Sequence, residues 1–191
     1  MNAADRAVFY WINAWPNGLD PLMRFLSEAI NHWPLRMALA ILVLDMVVRG
    51  GMGRATAIQA LIDWPIANGL TDILKHALKW PRPCVELSDF IHRTTALTSY
   101  GTASAHAANM AAIATVWTYR LGWRWGSIWI VIATLTGLSR IYMALHYPSE
   151  VLFGWVCGVA MGLLVVKIWD AILAHRERVR TNSEADPVET T

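Results

Sequence analysis

A chain of 191 residues that is 55% apolar and only 16% charged lacks the surface a soluble domain needs, since such domains carry about a quarter charged residues. A formal net charge of +2, with no basic stripe interleaved with aromatics, gives a nucleic-acid partner no footing. The length suits one domain. Among the eleven tryptophans, Trp33, Trp64, Trp80, Trp123, Trp125 and Trp169 stand near the ends of apolar runs, where an aromatic belt meets a membrane surface.

Residues 1–31 come first. Phe9, Tyr10, Trp11, Ile12 and Trp15 form an aromatic cluster closed by Pro16-Asn17-Gly18. Residues 19–30 set Leu22, Met23, Phe25, Leu26 and Ile30 against Asp20, Arg24 and Glu28. This pattern fits helices lying in the membrane interface, or one broken extra span. No basic start leads into an apolar run with a small-residue cleavage site, so no cleavable signal peptide is expected.

Five apolar stretches follow, at about 33–48, 55–78, 104–121, 125–142 and 148–170, each near the roughly 17–25 residues that cross a bilayer. The expected fold is all-α: an integral membrane bundle of about five spans in one domain, residues 1–174. A polar tail, 175–191, is expected to be disordered and cytoplasmic. Short links at 49–54 and around Gly122 make neighbouring helices antiparallel. In the second stretch Asp63, Asn68 and Asp72 are too polar for lipid contact. They either pack inside the bundle or line a watery cavity. In the fifth, Gly154, Gly158 and Gly162 recur every four residues and form a smooth face for close helix packing. Cys157 reads as a small packing residue, and no disulfide to Cys84 is expected from their different depths.

Positive charge orients the bundle. Arg49, Arg54, Arg120, Arg124, Lys167, Arg176, Arg178 and Arg180 fall on one side, which is assigned to the cytoplasm. Lys75, Lys79, Arg82, Arg93 and Arg140 fall on the other. Most of this second group belongs to three polar patches, which therefore share the extracytoplasmic face. Charge at the edge of an apolar segment marks a candidate functional site.

The first patch is Lys75-(x6)-Arg82-Pro83. Prolines 81 and 83 limit the freedom of Arg82, while the plainer reading is a pair of snorkelling cations. His76 and Lys79 fit that plainer reading. The second is Ser104-Ala105-His106, at a helix start where free N–H groups and the dipole attract phosphate. Ser104 either caps the helix or binds the anion, and His106 is placed to donate a proton to a leaving oxygen. The third is Ser139-Arg140-(x5)-His146-(x3)-Glu150. His146 and Glu150, four apart, share a helix face. Glu150 can fix one imidazole nitrogen and leave the other free to attack. Arg140 can fork onto two phosphoryl oxygens, and Ser139 can add a hydroxyl donor.

In this order the patches resemble the three-part signature of the type 2 phosphatidic acid phosphatase family, which shares its site with vanadium haloperoxidases. That signature reads Lys-x6-Arg-Pro, Pro-Ser-Gly-His and Ser-Arg-x5-His-x3-Asp. The first motif matches in full. The second has Ala103 for Pro and Ala105 for Gly, and the third has Glu150 for Asp. Ala105 can still donate its backbone N–H, but it loses the freedom of glycine to take a positive φ. Glu150, one methylene longer, needs a different rotamer to reach His146.

The resemblance implies metal-independent hydrolysis in two steps, with no cofactor. His146 is the nucleophile, Glu150 its orienter and His106 the acid and then base. Lys75, Arg82, Ser104, Ala105, Ser139 and Arg140 hold the phosphoryl oxygens. The implied substrate is a lipid phosphate or diphosphate in a bacterial-type inner membrane, undecaprenyl diphosphate first. Phosphatidylglycerol phosphate, phosphatidic acid and a lipid A phosphate are rivals. A phosphotransferase, or an inactive lipid-binding membrane protein, would keep the same residues.

Overall fold

The computed structural model describes residues 2–94 and 99–185, and all regular structure among them is helical. The helices are α1 (Ala3–Asn13), α2 (Asp20–Glu28), α3 (Trp33–Arg49), α4 (Gly51–Leu78), α5 (Pro83–Glu86), α6 (Ala105–Leu121), α7 (Trp123–Tyr142) and α8 (Pro148–Ala185). Gly50 (φ 78°) turns α3 into α4, and Gly122 (φ 77°) turns α6 into α7. Each lies in the left-handed region, which glycine enters without a Cβ penalty, so a single residue suffices to reverse the chain.

Helix α6 is the axis of the bundle and packs against α4, α7 and α8. Its inner face is built of small residues, with Ala107, Ala108 and Ala112 wholly buried. The glycine stripe of α8 lies against it. A Cβ at Gly158 would stand 2.1 Å from the Ala108 carbonyl oxygen, and one at Gly154 would stand 2.6 Å from that of Ser104. The two backbones are therefore closer than any side chain between them would permit. As a result the start of α6 and the start of α8 meet, and the Ser104 N–H donates to the Glu150 carbonyl at 3.0 Å.

Residues 1–31 do more than lie on a surface. Phe9 and Ile12 are buried with Tyr142, Tyr147 and Val151 in the main apolar cluster, and Phe9 and Tyr147 hold their ring centroids 5.6 Å apart. The Asp5 carboxylate accepts from the Ser149 N–H and hydroxyl, both at 2.9 Å, and so satisfies a donor in the half-buried first turn of α8. Arg93 lies 4.0 Å over the Tyr142 ring and donates to the carbonyls of Asn13 and Trp15. The N-terminal helices thus cap the end of α7 and the start of α8. An apolar helix face suits a protein partner as well as a lipid one, which is why its pattern suggested an interfacial helix.

Helix α8 runs on through residues 175–185, where the polar composition suggested disorder. Ladders such as Arg180 to Glu177 at 2.7 Å support an exposed helix of this kind. Residues 186–191 of the expected tail lie outside the described residues. By length and composition Pro148–Ser183 is a candidate membrane span by itself. Asn17–Asn31 and Trp33–Arg49, bent by 58°, form another as a broken pair. The polar residues of α4 divide. Asp63 is fully buried, whereas Asp72 is turned outward and pairs with Lys75 at 3.2 Å.

The α6–α8 contact predicts the effect of two glycine substitutions. Gly158→Ala drives a methyl into backbone, and overpacking of this kind costs about 1–3 kcal/mol. Gly69→Ala on α4, where nothing lies within 4 Å, gains up to about 1 kcal/mol of helix propensity. Melting in detergent should therefore fall for the first and hold or rise for the second.

Candidate active site

The three patches converge at the end of the bundle where α4 and α7 finish and α6 and α8 begin. Four local devices place them. Arg82, extended at φ −81° and ψ 157°, stands just before Pro83 opens α5. Ser104 caps α6, its hydroxyl accepting from the Ala107 N–H at 3.4 Å. Helix α7 closes through two reversed bonds, Ala144 N–H to the Ile141 carbonyl and Leu145 N–H to the Arg140 carbonyl, with Ala144 left-handed at φ 58°. That is a Schellman closure, and it turns the chain so that Leu145 and His146 face Arg82. Helix α8 then starts at Pro148, a favoured first position for proline, and brings Glu150 under His146.

His146 is the centre of the arrangement. Its Nδ1 lies 2.9 Å from Glu150 Oε2 and its Nε2 lies 2.9 Å from Arg82 Nη1. A guanidinium carries only donors, so Nε2 is the acceptor of that contact and the ring proton sits on Nδ1, donating to Glu150. The same Oε2 accepts the Tyr147 N–H at 3.1 Å. Glu150 thus reaches His146 in spite of its extra methylene, and it is wholly buried. Burial, reinforced by Arg82, Arg140, Lys75 and His106, holds the His146 imidazole well below the usual histidine range. It is therefore neutral, with a lone pair on Nε2.

Arg82 is 4% exposed and is held by four contacts. Nε donates to the Ser99 carbonyl at 2.7 Å, Nη2 to the Ser99 hydroxyl at 3.1 Å, and Nη1 to the Leu145 carbonyl at 2.7 Å as well as to His146. Burial draws its pKa down and the Glu150 charge opposes this. Arg140 is equally deep, and its Nη1 donates to the Ser27 carbonyl at 3.1 Å and hydroxyl at 2.5 Å. Its Nε has no partner among the described residues. Lys75 keeps its ion pair with Asp72. His106 stands within electrostatic reach of Lys75, Arg82, Arg140 and His146. Among the described residues it makes no side-chain hydrogen bond. The cluster thus holds three cations and two imidazoles around one buried carboxylate, a charge balance suited to an anion with several oxygens.

Two expected donors stand differently. The Ser139 hydroxyl donates to the Thr136 carbonyl of its own helix at 2.7 Å, because a serine inside a helix finds that acceptor first; it is not offered to the cluster. Ala105 is an ordinary helical residue at the start of α6 and is not among those with positive φ. The glycine freedom lost there is not needed by this backbone. The residues that sequence alone did not reveal are Ser27, Ser99 and the backbone groups of Leu145 and Tyr147. Each acts through a contact distant in the chain or through a main-chain atom, and neither leaves a pattern in one sequence.

Comparison with known proteins identifies the fold and the family. The curated Undecaprenyl-diphosphatase of Sulfolobus acidocaldarius is 28% identical over 155 residues, which cover 78% of this chain and 70% of that protein. The crystal structure of Aquifex aeolicus LpxE superposes with a TM-score of 0.74 at 22% identity, covering 87% of this chain and 96% of the other. That of a PAP2 type phosphatidylglycerolphosphate phosphatase from Bacillus subtilis gives 0.67 at 22% identity, covering 90% and 89%. Both share the fold. The family model described as PAP2 superfamily matches residues 56–173, more than half of the chain and every residue of the three patches, and the protein therefore belongs to the PAP2 superfamily.

Proposed function

We propose that this protein is a membrane lipid phosphatase that removes phosphate from a lipid phosphate or diphosphate through a phosphohistidine on His146. The observation that carries the reading is the His146 imidazole, neutral and fixed between Glu150 and Arg82. An arriving phosphoryl oxygen replaces Nε2 as the acceptor for Arg82 Nη1, which frees the lone pair for attack. Arg82, Arg140 and Lys75 then hold the equatorial oxygens, where charge gathers in the transition state.

In the first step Nε2 bonds to phosphorus as the bond to the lipid oxygen breaks, and that oxygen takes a proton from His106, which the bound phosphate anion holds in its imidazolium form. Glu150 accepts from Nδ1 throughout and balances the positive charge of the phosphorylated ring. In the second step His106 takes a proton from water, the water oxygen bonds to phosphorus, and the P–N bond breaks. Inorganic phosphate leaves and His146 returns neutral.

Five helices, α3, α4, α6, α7 and α8, are proposed to cross the membrane with the site end outward. The cations of the opposite end, Arg49, Arg54, Arg120 and Arg124 among them, support that orientation. The proposed first substrate is undecaprenyl diphosphate, in keeping with the named activity of the archaeal relative.

Purified protein in detergent should release phosphate from lipid phosphates with a chelator present, and vanadate should inhibit it. His146→Ala should abolish release, and Arg140→Ala should lower kcat by about 10²–10³-fold, as loss of one transition-state donor does elsewhere. Full activity in either variant overturns the assigned roles. Release from another lipid of the panel, with none from the undecaprenyl diphosphate, overturns the substrate alone.

The depressed pKa of His146 sets the direction of the pH dependence. The neutral form attacks, so a lowered pKa extends activity to lower pH. The acid limb of kcat/KM, which reports the free enzyme, should lie below the ordinary histidine value of about 6.5 once the ionisation of the substrate is allowed for. A limb at or above that value would contradict it.

A further inference from the structure

We infer that Gly101 is a positioning residue: its missing side chain makes the space that the Glu150 carboxyl group occupies while it holds His146. The inference rests on the phosphatase reading for its kinetic consequence and on geometry alone for the contact. A Cβ at Gly101 would lie 2.2 Å from Glu150 Oε1, and 2.7 Å from both Cδ and Oε2. All three nearest atoms belong to the one carboxyl group. Gly101 is not among the residues of positive φ, so an alanine is conformationally allowed there and only the collision forbids it.

Both sides of the contact are tied by hydrogen bonds. The Gly101 N–H donates to the Trp80 carbonyl at 2.8 Å, and the Trp80 N–H donates to Thr102 Oγ1 at 3.2 Å. Farther along the same segment, the Ser104 N–H is bonded to the Glu150 carbonyl. Segment 101–104 is thereby tied to the strap before Arg82 and to the first turn of α8. On the other side Glu150 Oε2 is committed to His146 Nδ1 and to the Tyr147 N–H. Oε1 has no hydrogen-bond partner among the described residues and projects to the place where a Cβ would be. A carboxylate pushed from there must leave the imidazole that it orients.

The contact also accounts for a glutamate at position 150. An aspartate there withdraws its carboxyl by one methylene, and the vacated volume is close to that of the methyl group an alanine would bring at position 101. The native glycine–glutamate pair and an alanine–aspartate pair at the same two positions are thus two nearly volume-conserving solutions of one packing problem. The crossed pairs are one overpacked and one underpacked.

The test is a double-mutant cycle of Gly101→Ala and Glu150→Asp in the full-length protein in detergent, read by phosphate release and by melting temperature. Gly101→Ala should lower kcat by about 10²-fold, the scale of a misplaced reacting group, with KM changed less than about twofold because Arg82, Arg140 and Lys75 are untouched. The G101A/E150D protein should recover at least about tenfold in kcat over G101A and melt higher than the two single effects sum to, the mark of residues in contact. Wild-type kcat in G101A, or additive effects in both readouts, overturns the inference. If G101A is not recovered folded, recovery of a folded, active double variant supports the inference, and failure of both overturns it. Should the wild-type protein release no phosphate from any lipid, the phosphatase reading fails while the melting cycle still decides the contact.

Discussion

The close approach of α6 and α8 is the constraint on which the site depends. Gly158 meets the Ala108 carbonyl and Gly154 meets that of Ser104, distances that only a glycine stripe against small residues allows. With the backbones at that distance, the first turns of the two helices can exchange a main-chain hydrogen bond from Ser104 to Glu150. That bond sets the second polar patch beside the third. A wider helix pair would leave His106 and His146 on separate surfaces. It would also leave Gly101 with nothing to accommodate.

The second organising feature is how buried positive charge is satisfied without being neutralised. Arg82 donates to two carbonyls, a hydroxyl and an imidazole, and Arg140 to a carbonyl and a hydroxyl. Neutral acceptors meet the hydrogen-bonding demand of a buried guanidinium and leave its charge in place. Lys75 is the exception, paired with Asp72 near the surface. The carboxylate at the centre, Glu150, is directed to His146, where it fixes the ring proton on Nδ1. The cluster therefore keeps a net attraction for an anion together with a neutral nitrogen nucleophile. These two requirements conflict in water, where nearby cations are screened, and they coexist here through burial.

Residues 1–31 take part in the same arrangement from outside it. Ser27 of α2 grips Arg140, Asp5 of α1 receives the start of α8, and Asn13 donates to the Tyr142 carbonyl at the end of α7 at 3.0 Å. Arg93 joins these helices to the loop before α6 by stacking on Tyr142 and bonding to residues 13 and 15. The cap thus holds the ends of the helices that carry the patches. Its own contribution is positional.

The sequence by itself determined the helical class, the boundaries of the long helices to within a few residues except for the far end of α8, and most of the polar residues that meet. Apolar runs, single-glycine turns and cations at the ends of those runs are local properties, and local properties survive in a linear reading. It also marked Ala105 and Glu150 as departures from a familiar pattern. Only the tertiary structure decided what those departures mean. Ala105 has a helical backbone that needs no glycine. Glu150 is accommodated because a residue 49 positions earlier has no side chain. The same holds for Ser27, Ser99 and Asp5, and for Ser139, whose hydroxyl turned to its own helix. Contacts between distant segments depend on helix separation and on main-chain atoms, and neither is written in the order of side chains along one chain.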